Sequence, residues 1–145
     1  MMSETNEMMG SCLCDAVKVS TTSTSNKVGA CHCGMCRKWT GSSLLVVNCE
    51  DKIEFDGAEN ITRFSSSEWA ERGFCSKCGT HLFYRLKQNN HYYIPAGIFE
   101  RQDNLVFDHQ IFIDRKPEYF TFANQTNNMT EAEVLAMFGS LSGTP

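Results

Sequence analysis

Several features common in other proteins are missing from this 145-residue chain, and each absence removes a class of function. Lysine and arginine number 13 against 17 aspartate and glutamate residues, so the net charge is −4 with neutral histidines. That acidic balance argues against general binding to a nucleic-acid backbone, which depends on an excess of positive charge. No apolar run approaches the roughly 18 residues that a membrane-spanning helix needs, so we expect no membrane span.

The first nine residues also lack the parts of a secretory signal. They are polar and rich in methionine, without a basic start, an apolar stretch or a cleavage-like site of small residues. No linker, charge block or low-complexity tract divides the rest of the chain. We therefore predict a flexible leader over residues 1–9, one zinc-binding domain over residues 10–145, and a cytoplasmic location. In a reducing cytoplasm, structural disulfide bonds are disfavoured.

What the chain contains in unusual number is cysteine, with 8 residues. Seven of these lie in three clusters of short spacing: Cys12/Cys14, Cys31/Cys33/Cys36 and Cys75/Cys78. Cysteines so close along the chain do not easily bridge each other, but their sulfurs can converge on one small ion. The spacing therefore favours metal binding over a disulfide framework.

The seven clustered cysteines divide as four plus three. A closed structural zinc site takes four ligands, whereas a catalytic zinc commonly has three protein ligands and an open position. We expect the two pairs, drawn from distant parts of the chain, to form a structural site from Cys12, Cys14, Cys75 and Cys78. The local triplet would hold a second ion through Cys31, Cys33 and Cys36. All-thiolate ligation favours zinc, with iron–sulfur clusters and copper(I) as the alternatives.

The remaining cysteine and the histidines carry weaker signals. Cys49 ends an apolar strand without a partner at ligand spacing, so we interpret it as a core residue. His32 sits between two ligand candidates, and alternation would point its side chain away from their metal. We expect a structural role for His81, whereas His91 and His109 lie in no motif and receive no function.

Short alternating segments punctuated by turns predict a domain made mainly of β-strands. Strands are expected over residues 16–22, 43–48, 53–55, 60–64, 69–74, 80–86, 91–94 and 111–113. One short helix is expected near the end, over residues 131–138. Thr130 and Glu133 fit a capping box at its start, and Gly139 fits a stop at its end.

Four stretches resemble a known family: three that contain the clustered cysteines, over residues 10–17, 31–41 and 72–85, and one over residues 110–117. They include the motifs Cys-Leu-Cys, Cys-His-Cys-Gly-Met-Cys-Arg-Lys-Trp-Thr-Gly and Cys-Ser-Lys-Cys-Gly. In these motifs, which span about residues 10–122, the chain resembles the glutathione-dependent formaldehyde-activating enzyme family, also called the GFA/CENP-V family.

The resemblance implies a β-tent-type fold of several coiled antiparallel sheets closed by a structural zinc. It assigns that zinc to Cys12, Cys14, Cys75 and Cys78. It assigns a second, catalytic zinc to Cys31, Cys33 and Cys36, so that each chain binds two ions. The activity it implies is that of a carbon–sulfur lyase, which interconverts S-hydroxymethylglutathione with glutathione and formaldehyde.

The sequence therefore leads to two hypotheses of function. The first is a zinc enzyme that holds the sulfur of a small thiol adduct, such as one of glutathione, at the open three-cysteine site. Arg37, Trp39 and Arg72 are candidate contacts to that substrate. The alternatives are a solvated position for Arg37, a core position for Trp39 and a surface ion pair for Arg72. The second hypothesis is a non-enzymatic, zinc-stabilised module for protein interaction or for thiol and metal sensing.

Overall fold

The structure is a computed structural model that describes residues 7–23 and 25–137. In this part of the chain, eleven strands form two sheets, and two short helices accompany them. The strands are β1 (Met8–Ser11), β2 (Lys18–Thr21), β3 (Lys27–Cys31), β4 (Leu44–Asn48), β5 (Ile53–Asp56), β6 (Ile61–Ser65), β7 (Ala70–Cys75), β8 (His81–Leu86), β9 (His91–Pro95), β10 (Val106–Ile111) and β11 (Asn127–Met129). The helices are α1 (Gly34–Thr40) and α2 (Glu131–Met137).

The smaller sheet has the order β1-β2-β5 and the larger one the order β11-β10-β3-β4-β9-β8-β7-β6. All pairs are antiparallel except those of β10, which runs parallel to both β3 and β11. The prediction of purely antiparallel sheets is therefore wrong for this edge of the larger sheet. The physical reason is the long connection after β3, because a parallel neighbour needs a crossover that a hairpin turn cannot provide.

The core lies between the two sheets and is built from side chains on the alternating positions of their strands. Val17, Val47, Leu82 and Ile94 are fully buried there. In β2, Val19 and Thr21 face inward while Lys18 is exposed, which is the alternation that predicted this strand. The sheets are also joined through the backbone, because Gly10 bridges to Phe99 in the segment that follows β9.

Seven of the predicted strands correspond to observed strands with small shifts of their ends: β2, β4, β5, β6, β7, β8 and β9. The eighth prediction, over residues 111–113, is wrong. The strand lies earlier, at Val106–Ile111, and a 3₁₀ turn begins at Ile113 after Phe112 takes a left-handed conformation with φ 55°. The polar stretch before Ile111 hid this strand, because Gln110 points into a buried polar network instead of an apolar core.

The predicted flexible leader is wrong for its last two residues. Met8 and Met9 belong to β1, where they pair with Thr21 and Ser20, and the Met8 side chain is buried. The polar residues ahead of them concealed a strand of only four residues. Residues 1–6 lie outside the described part of the chain.

The capping box predicted for the C-terminal helix is confirmed. The backbone N–H of Thr130 donates to Glu133 Oε1 at 2.8 Å, and the N–H of Glu133 donates to Thr130 Oγ1 at 3.2 Å. Helix α2 is described to Met137, so the predicted end at Phe138 and Gly139 lies outside the described residues. Neither helix of residues 7–23 and 25–137 is long and apolar enough to cross a bilayer.

The junction of the two sheets gives a first test of the packing. A methyl group added at Gly10 would overlap the carbonyl group of Ile98, whereas one added at Gly97 meets no atom within 4 Å. Because a backbone carbonyl cannot move aside as a long side chain can, we expect Gly10→Ala to lower the free energy of unfolding by about 1–3 kcal/mol. Urea denaturation measures it, with Gly97→Ala as the control that should stay near wild type. Equal stabilities of the two variants would contradict this close approach.

Candidate metal centres and the adjoining cavity

The first cysteine cluster joins two turns that are far apart in sequence. Cys12 and Cys14 follow β1, Cys75 ends β7, and Cys78 lies in the turn before β8. Their four Sγ atoms all lie within 4.8 Å of one another, although Cys14 and Cys75 are 61 positions apart in the chain. The structure therefore brings together the four residues that spacing had grouped.

The separations within this cluster fit a tetrahedral metal ion. The Sγ atoms of Cys12 and Cys14 are 3.7 Å apart, and those of Cys14 and Cys75 are 3.8 Å apart. With zinc–sulfur bonds of about 2.3 Å, the edge of a regular tetrahedron of sulfurs is about 3.8 Å. All-sulfur donors at this spacing suit zinc, a soft to borderline ion, better than a hard cation such as magnesium.

Hydrogen-bonding groups contact three sulfurs of this cluster, those of Cys12, Cys75 and Cys78. The backbone N–H of Val17 donates to Cys12 Sγ at 3.3 Å, and that of Lys77 donates to Cys75 Sγ at 3.4 Å. The Thr80 hydroxyl lies 3.2 Å from Cys78 Sγ, and its hydrogen bond is the main reason that the pKa of Cys78 falls to about 5. Such outer contacts orient metal ligands and offset their negative charge.

The turn that carries Cys75 and Cys78 closes through its own backbone. The N–H of Gly79 donates to the carbonyl of Cys75 at 2.7 Å, and Gly79 has φ 83°. A residue with a side chain is strained in this left-handed region, so glycine suits the position. This geometry lets the amides of the turn face the sulfurs.

The second cluster is built from one loop and the start of α1. Cys31 ends β3, Cys33 caps the helix, and Cys36 lies in its first turn, with all three Sγ atoms within 4.8 Å of one another. Cys33 Sγ accepts the N–H of Cys36 at 3.4 Å, as a capping side chain does. The helix itself was not predicted, because it has seven residues and begins with glycine. Gly41, which ends it with φ 84°, was the available signal.

The three thiols of this second cluster are too close to ionise together without a cation. Hydrogen bonds from Cys31 and then Cys36 lower the pKa of Cys33 to about 2. The hydrogen bond to Cys33 is the main cause that raises the pKa of Cys31. One sulfur is therefore a thiolate held by its neighbours, and a bound divalent cation would allow all three to ionise.

Arg72 is the cation that the protein itself supplies at this cluster. It is only 3% exposed, and its Nη1 and Nη2 atoms both lie 3.7 Å from Cys36 Sγ. Its Nε donates to Ser66 Oγ at 3.2 Å, and its guanidinium lies 4.8 Å from the ring centre of Tyr84. The structure thus brings Arg72 to the three-cysteine cluster with its donors directed at Cys36 and Ser66.

The other two candidate substrate contacts are placed differently. Arg37 Nε donates to the carbonyl oxygen of His32 at 3.0 Å. Trp39 stacks on Phe64 with 6.2 Å between ring centres and packs against His81 at 5.1 Å. Neither Arg37 nor Trp39 lines the cavity described below. Both residues belong to α1, and these contacts hold that helix in place. Sequence spacing alone could not distinguish this role from contact with a substrate.

His32, between two of the cysteines, belongs to a buried polar network that sequence reasoning missed. Its side chain is fully buried, and its Nε2 donates to Gln110 Oε1 at 2.8 Å while its Nδ1 accepts from the Ser43 hydroxyl at 2.6 Å. Gln110 in turn donates to Thr126 Oγ1 at 2.9 Å. Burial lowers the pKa of His32, so its imidazole is neutral. His32 is not part of the three-sulfur group, in keeping with the non-ligand role that alternation predicted, and its hydrogen bonds hold the loop between Cys31 and Cys33.

The remaining cysteine and two further histidines are structural. Cys49 is fully buried in the core, and this burial raises its pKa to about 11, which confirms its interpretation as a core residue. His81 packs against Trp39, in keeping with the structural role expected for it. His109 forms a hydrogen bond with Asp108 at 2.9 Å.

A cavity of about 170 Å³ opens directly beside the three-cysteine cluster. Cys31, Cys33 and Cys36 form part of its wall, and Arg72 lies among them. The strands β4, β8 and β9 contribute further wall residues, and α2 contributes Val134 and Leu135. A metal ion held by the three sulfurs would face this space, which gives a small molecule access to it.

The comparison with protein families agrees with the two clusters and their cavity. The model of the glutathione-dependent formaldehyde-activating enzyme family, GFA, matches residues 7–115. These residues include both cysteine clusters and most of the two sheets. The chain belongs to the GFA family.

Relatives of this GFA chain extend the comparison. It is 38% identical over 130 residues to a Schizosaccharomyces pombe protein named as an uncharacterized lyase, and the match covers 89% of this chain and 95% of that protein. It is 30% identical over 87 residues to a Podospora anserina protein named as a putative glutathione-dependent formaldehyde-activating enzyme, covering 57% of this chain and 41% of that protein. A Rhodobacter sphaeroides crystal structure is 25% identical with a TM-score of 0.56, covering 64% of this chain and 88% of that one.

The two clusters of this GFA chain should respond differently to loss of a sulfur. We expect Cys75→Ser to remove one bound zinc and to lower the melting temperature by about 10 °C or more, because that site connects distant turns. We expect Cys33→Ser to remove the other zinc with a much smaller loss of stability, since its ligands share one loop. Elemental analysis of metal content and thermal unfolding measure both effects. A chain that binds fewer than two zinc ions in the wild type would contradict this expectation.

The buried network around His32 gives a further prediction. We expect His32→Leu to lower the free energy of unfolding by about 1–3 kcal/mol, because it leaves Ser43 and Gln110 buried without their partner. It should also weaken zinc binding at the three-cysteine cluster about tenfold or more, while the four-cysteine cluster keeps its ion. Competition with a chelator measures the affinity, and His91→Leu, at the start of β9, serves as the control. Unchanged zinc affinity would show that His32 does not hold the loop.

Proposed function

We propose that this GFA-family protein is a zinc-dependent carbon–sulfur lyase that acts on adducts between a thiol and an aldehyde, such as S-hydroxymethylglutathione. In this proposal, Cys12, Cys14, Cys75 and Cys78 hold a structural zinc, and Cys31, Cys33 and Cys36 hold a catalytic one. The observation that carries the proposal is the position of the three-cysteine cluster in the wall of a cavity. The names of the relatives, a lyase and a formaldehyde-activating enzyme, agree with it.

A zinc ion with three protein thiolates has a fourth position to which a substrate sulfur can bind, and it lowers the pKa of that thiol. The reaction is balanced without an oxidant or reductant. As the adduct decomposes, its hydroxyl loses a proton, the carbon–oxygen bond becomes a carbonyl, and the carbon–sulfur bond pair returns to sulfur. The released proton balances the thiol that forms. Addition follows the same steps in reverse.

The residues around the cluster support this chemistry through charge and position. Three thiolates with one zinc carry a net charge of −1, and the buried guanidinium of Arg72 beside Cys36 offsets it. Burial raises the pKa of Tyr84, which also lines the cavity, so its phenol stays protonated and can donate a hydrogen bond. The proposal includes a cytoplasmic location, because the seven thiols must stay reduced to bind metal.

A non-enzymatic zinc module is the competing function. The four-cysteine cluster alone would serve such a module, since its role is to connect two turns. The three-cysteine cluster needs no cavity for that purpose, and the cavity beside it therefore favours the enzyme.

Turnover of the family's adduct tests the proposal directly. We expect the zinc-loaded protein to accelerate the exchange between glutathione, formaldehyde and their adduct above the rate with free zinc, as followed by exchange NMR. Removing zinc from the second cluster, by Cys33→Ser or by a chelator, should abolish the acceleration, and added zinc should restore it in the chelated wild type. Lys38→Ala, an exposed change on the same helix, should retain it. Equal exchange rates for wild type and Cys33→Ser would refute the proposed enzyme activity.

A further inference from the structure

We infer that the adduct processed at the three-cysteine cluster carries an apolar group of several carbons, and that this group occupies the cavity. The inference rests on the proposed function and adds the chemical class of its substrate. The group comes either from the aldehyde, at the reacting carbon, or from the thiol. In both cases the same apolar walls would contact it.

The walls of the cavity beyond the sulfurs are mainly apolar. Aliphatic side chains from β4, β8, β10 and α2 face it: Leu44, Val46, Leu86, Ile111, Val134 and Leu135. Four aromatic residues also line it: Trp69, Tyr84, Tyr93 and Phe112. Contact between such a wall and apolar substrate atoms makes binding more favourable, whereas contact with a hydrated polar group contributes little to binding.

The cavity offers no free cation for a carboxylate among the described residues. Arg72 is the one basic residue in its wall, and its three guanidinium nitrogens are directed at Cys36 and Ser66. Glutathione at neutral pH carries two carboxylates and an ammonium group. Burying such a charge without a partner is strongly unfavourable. The charged ends of glutathione therefore stay outside this space, and only the part next to sulfur can enter.

The size of the cavity also favours a substrate with an apolar group of several carbons. Formaldehyde adds a single carbon and a hydroxyl to the sulfur, which leaves most of the roughly 170 Å³ without substrate atoms. Each further methylene buried against such walls strengthens binding by about fourfold. An adduct with four or more apolar carbons makes far better use of this surface than the formaldehyde adduct does.

One polar group in the wall suits the hydroxyl that every such adduct carries. Tyr84 lines the cavity, and its phenol can pair with an adduct hydroxyl. The cavity thus combines a polar group for a hydroxyl with a large apolar surface, which matches the two parts of an apolar thiol–aldehyde adduct.

Rates for a series of thiol and aldehyde pairs, measured with the zinc-loaded full chain, test this inference. We expect kcat/KM at least about tenfold higher for glutathione with butanal, or for benzyl mercaptan with formaldehyde, than for glutathione with formaldehyde. The two apolar pairs separate an aldehyde source from a thiol source of the group. If glutathione with formaldehyde reacts as well as both apolar pairs, the inference is overturned while the proposed function stands.

Binding provides a readout that does not depend on turnover. Calorimetry should show benzyl mercaptan binding at least about tenfold more tightly than glutathione. Leu135→Lys, which brings a charge to the wall, should remove this preference, and Ala136→Lys on the exposed side of the same helix should retain it. If this pattern appears without turnover of any adduct, the cavity assignment holds and the proposed lyase fails. Loss of the preference in both lysine variants, or its absence in the wild type, overturns the inference.

Discussion

The convergence of four sulfurs from two distant turns is the contact on which the rest of the structure depends. Cys12 and Cys14 lie at the end of the small sheet, and Cys75 and Cys78 lie between two strands of the large one. This cluster and the bridge from Gly10 to Phe99 hold the sheets together at one end. The core between them can then bury Val17, Leu82 and their neighbours without a long helix to cover it.

The second cluster shows a different use of the same amino acid. Its three sulfurs come from one loop, so they add little to the connection between distant parts of the chain. They are held by groups around them: Arg72 beside Cys36, and the polar network of His32 behind the loop. Arg72 shares the cavity wall with the three sulfurs, whereas the His32 network is not part of that wall, and the sulfurs keep one side open to the cavity.

Much of this arrangement could be predicted from the sequence, since its signals are local. Short cysteine spacings predicted both clusters, alternation predicted β2 and β8, and an apolar run predicted β4. The rest depends on partners that sequence spacing does not reveal. In β3, Gly29 packs directly against the His109 ring of β10, so the strand has no alternating pattern to detect. The partners of Arg37 and Trp39 were equally hidden in the sequence. Their positions next to the cysteines suggested substrate contacts, but Arg37 contacts a backbone carbonyl and Trp39 contacts other aromatic rings.

The parallel pairing of β10 with β3 also sets an order on the events of protein synthesis. All four residues of the first cluster have been made once the chain reaches Cys78, so that cluster can assemble on a nascent chain after they emerge from the ribosome. The loop with Cys31, Cys33 and Cys36 appears even earlier, but its supporting Gln110 is 78 positions beyond His32, and the cavity wall needs Val134 and Leu135. A growing chain therefore completes the four-cysteine cluster first and the cavity beside the second cluster last.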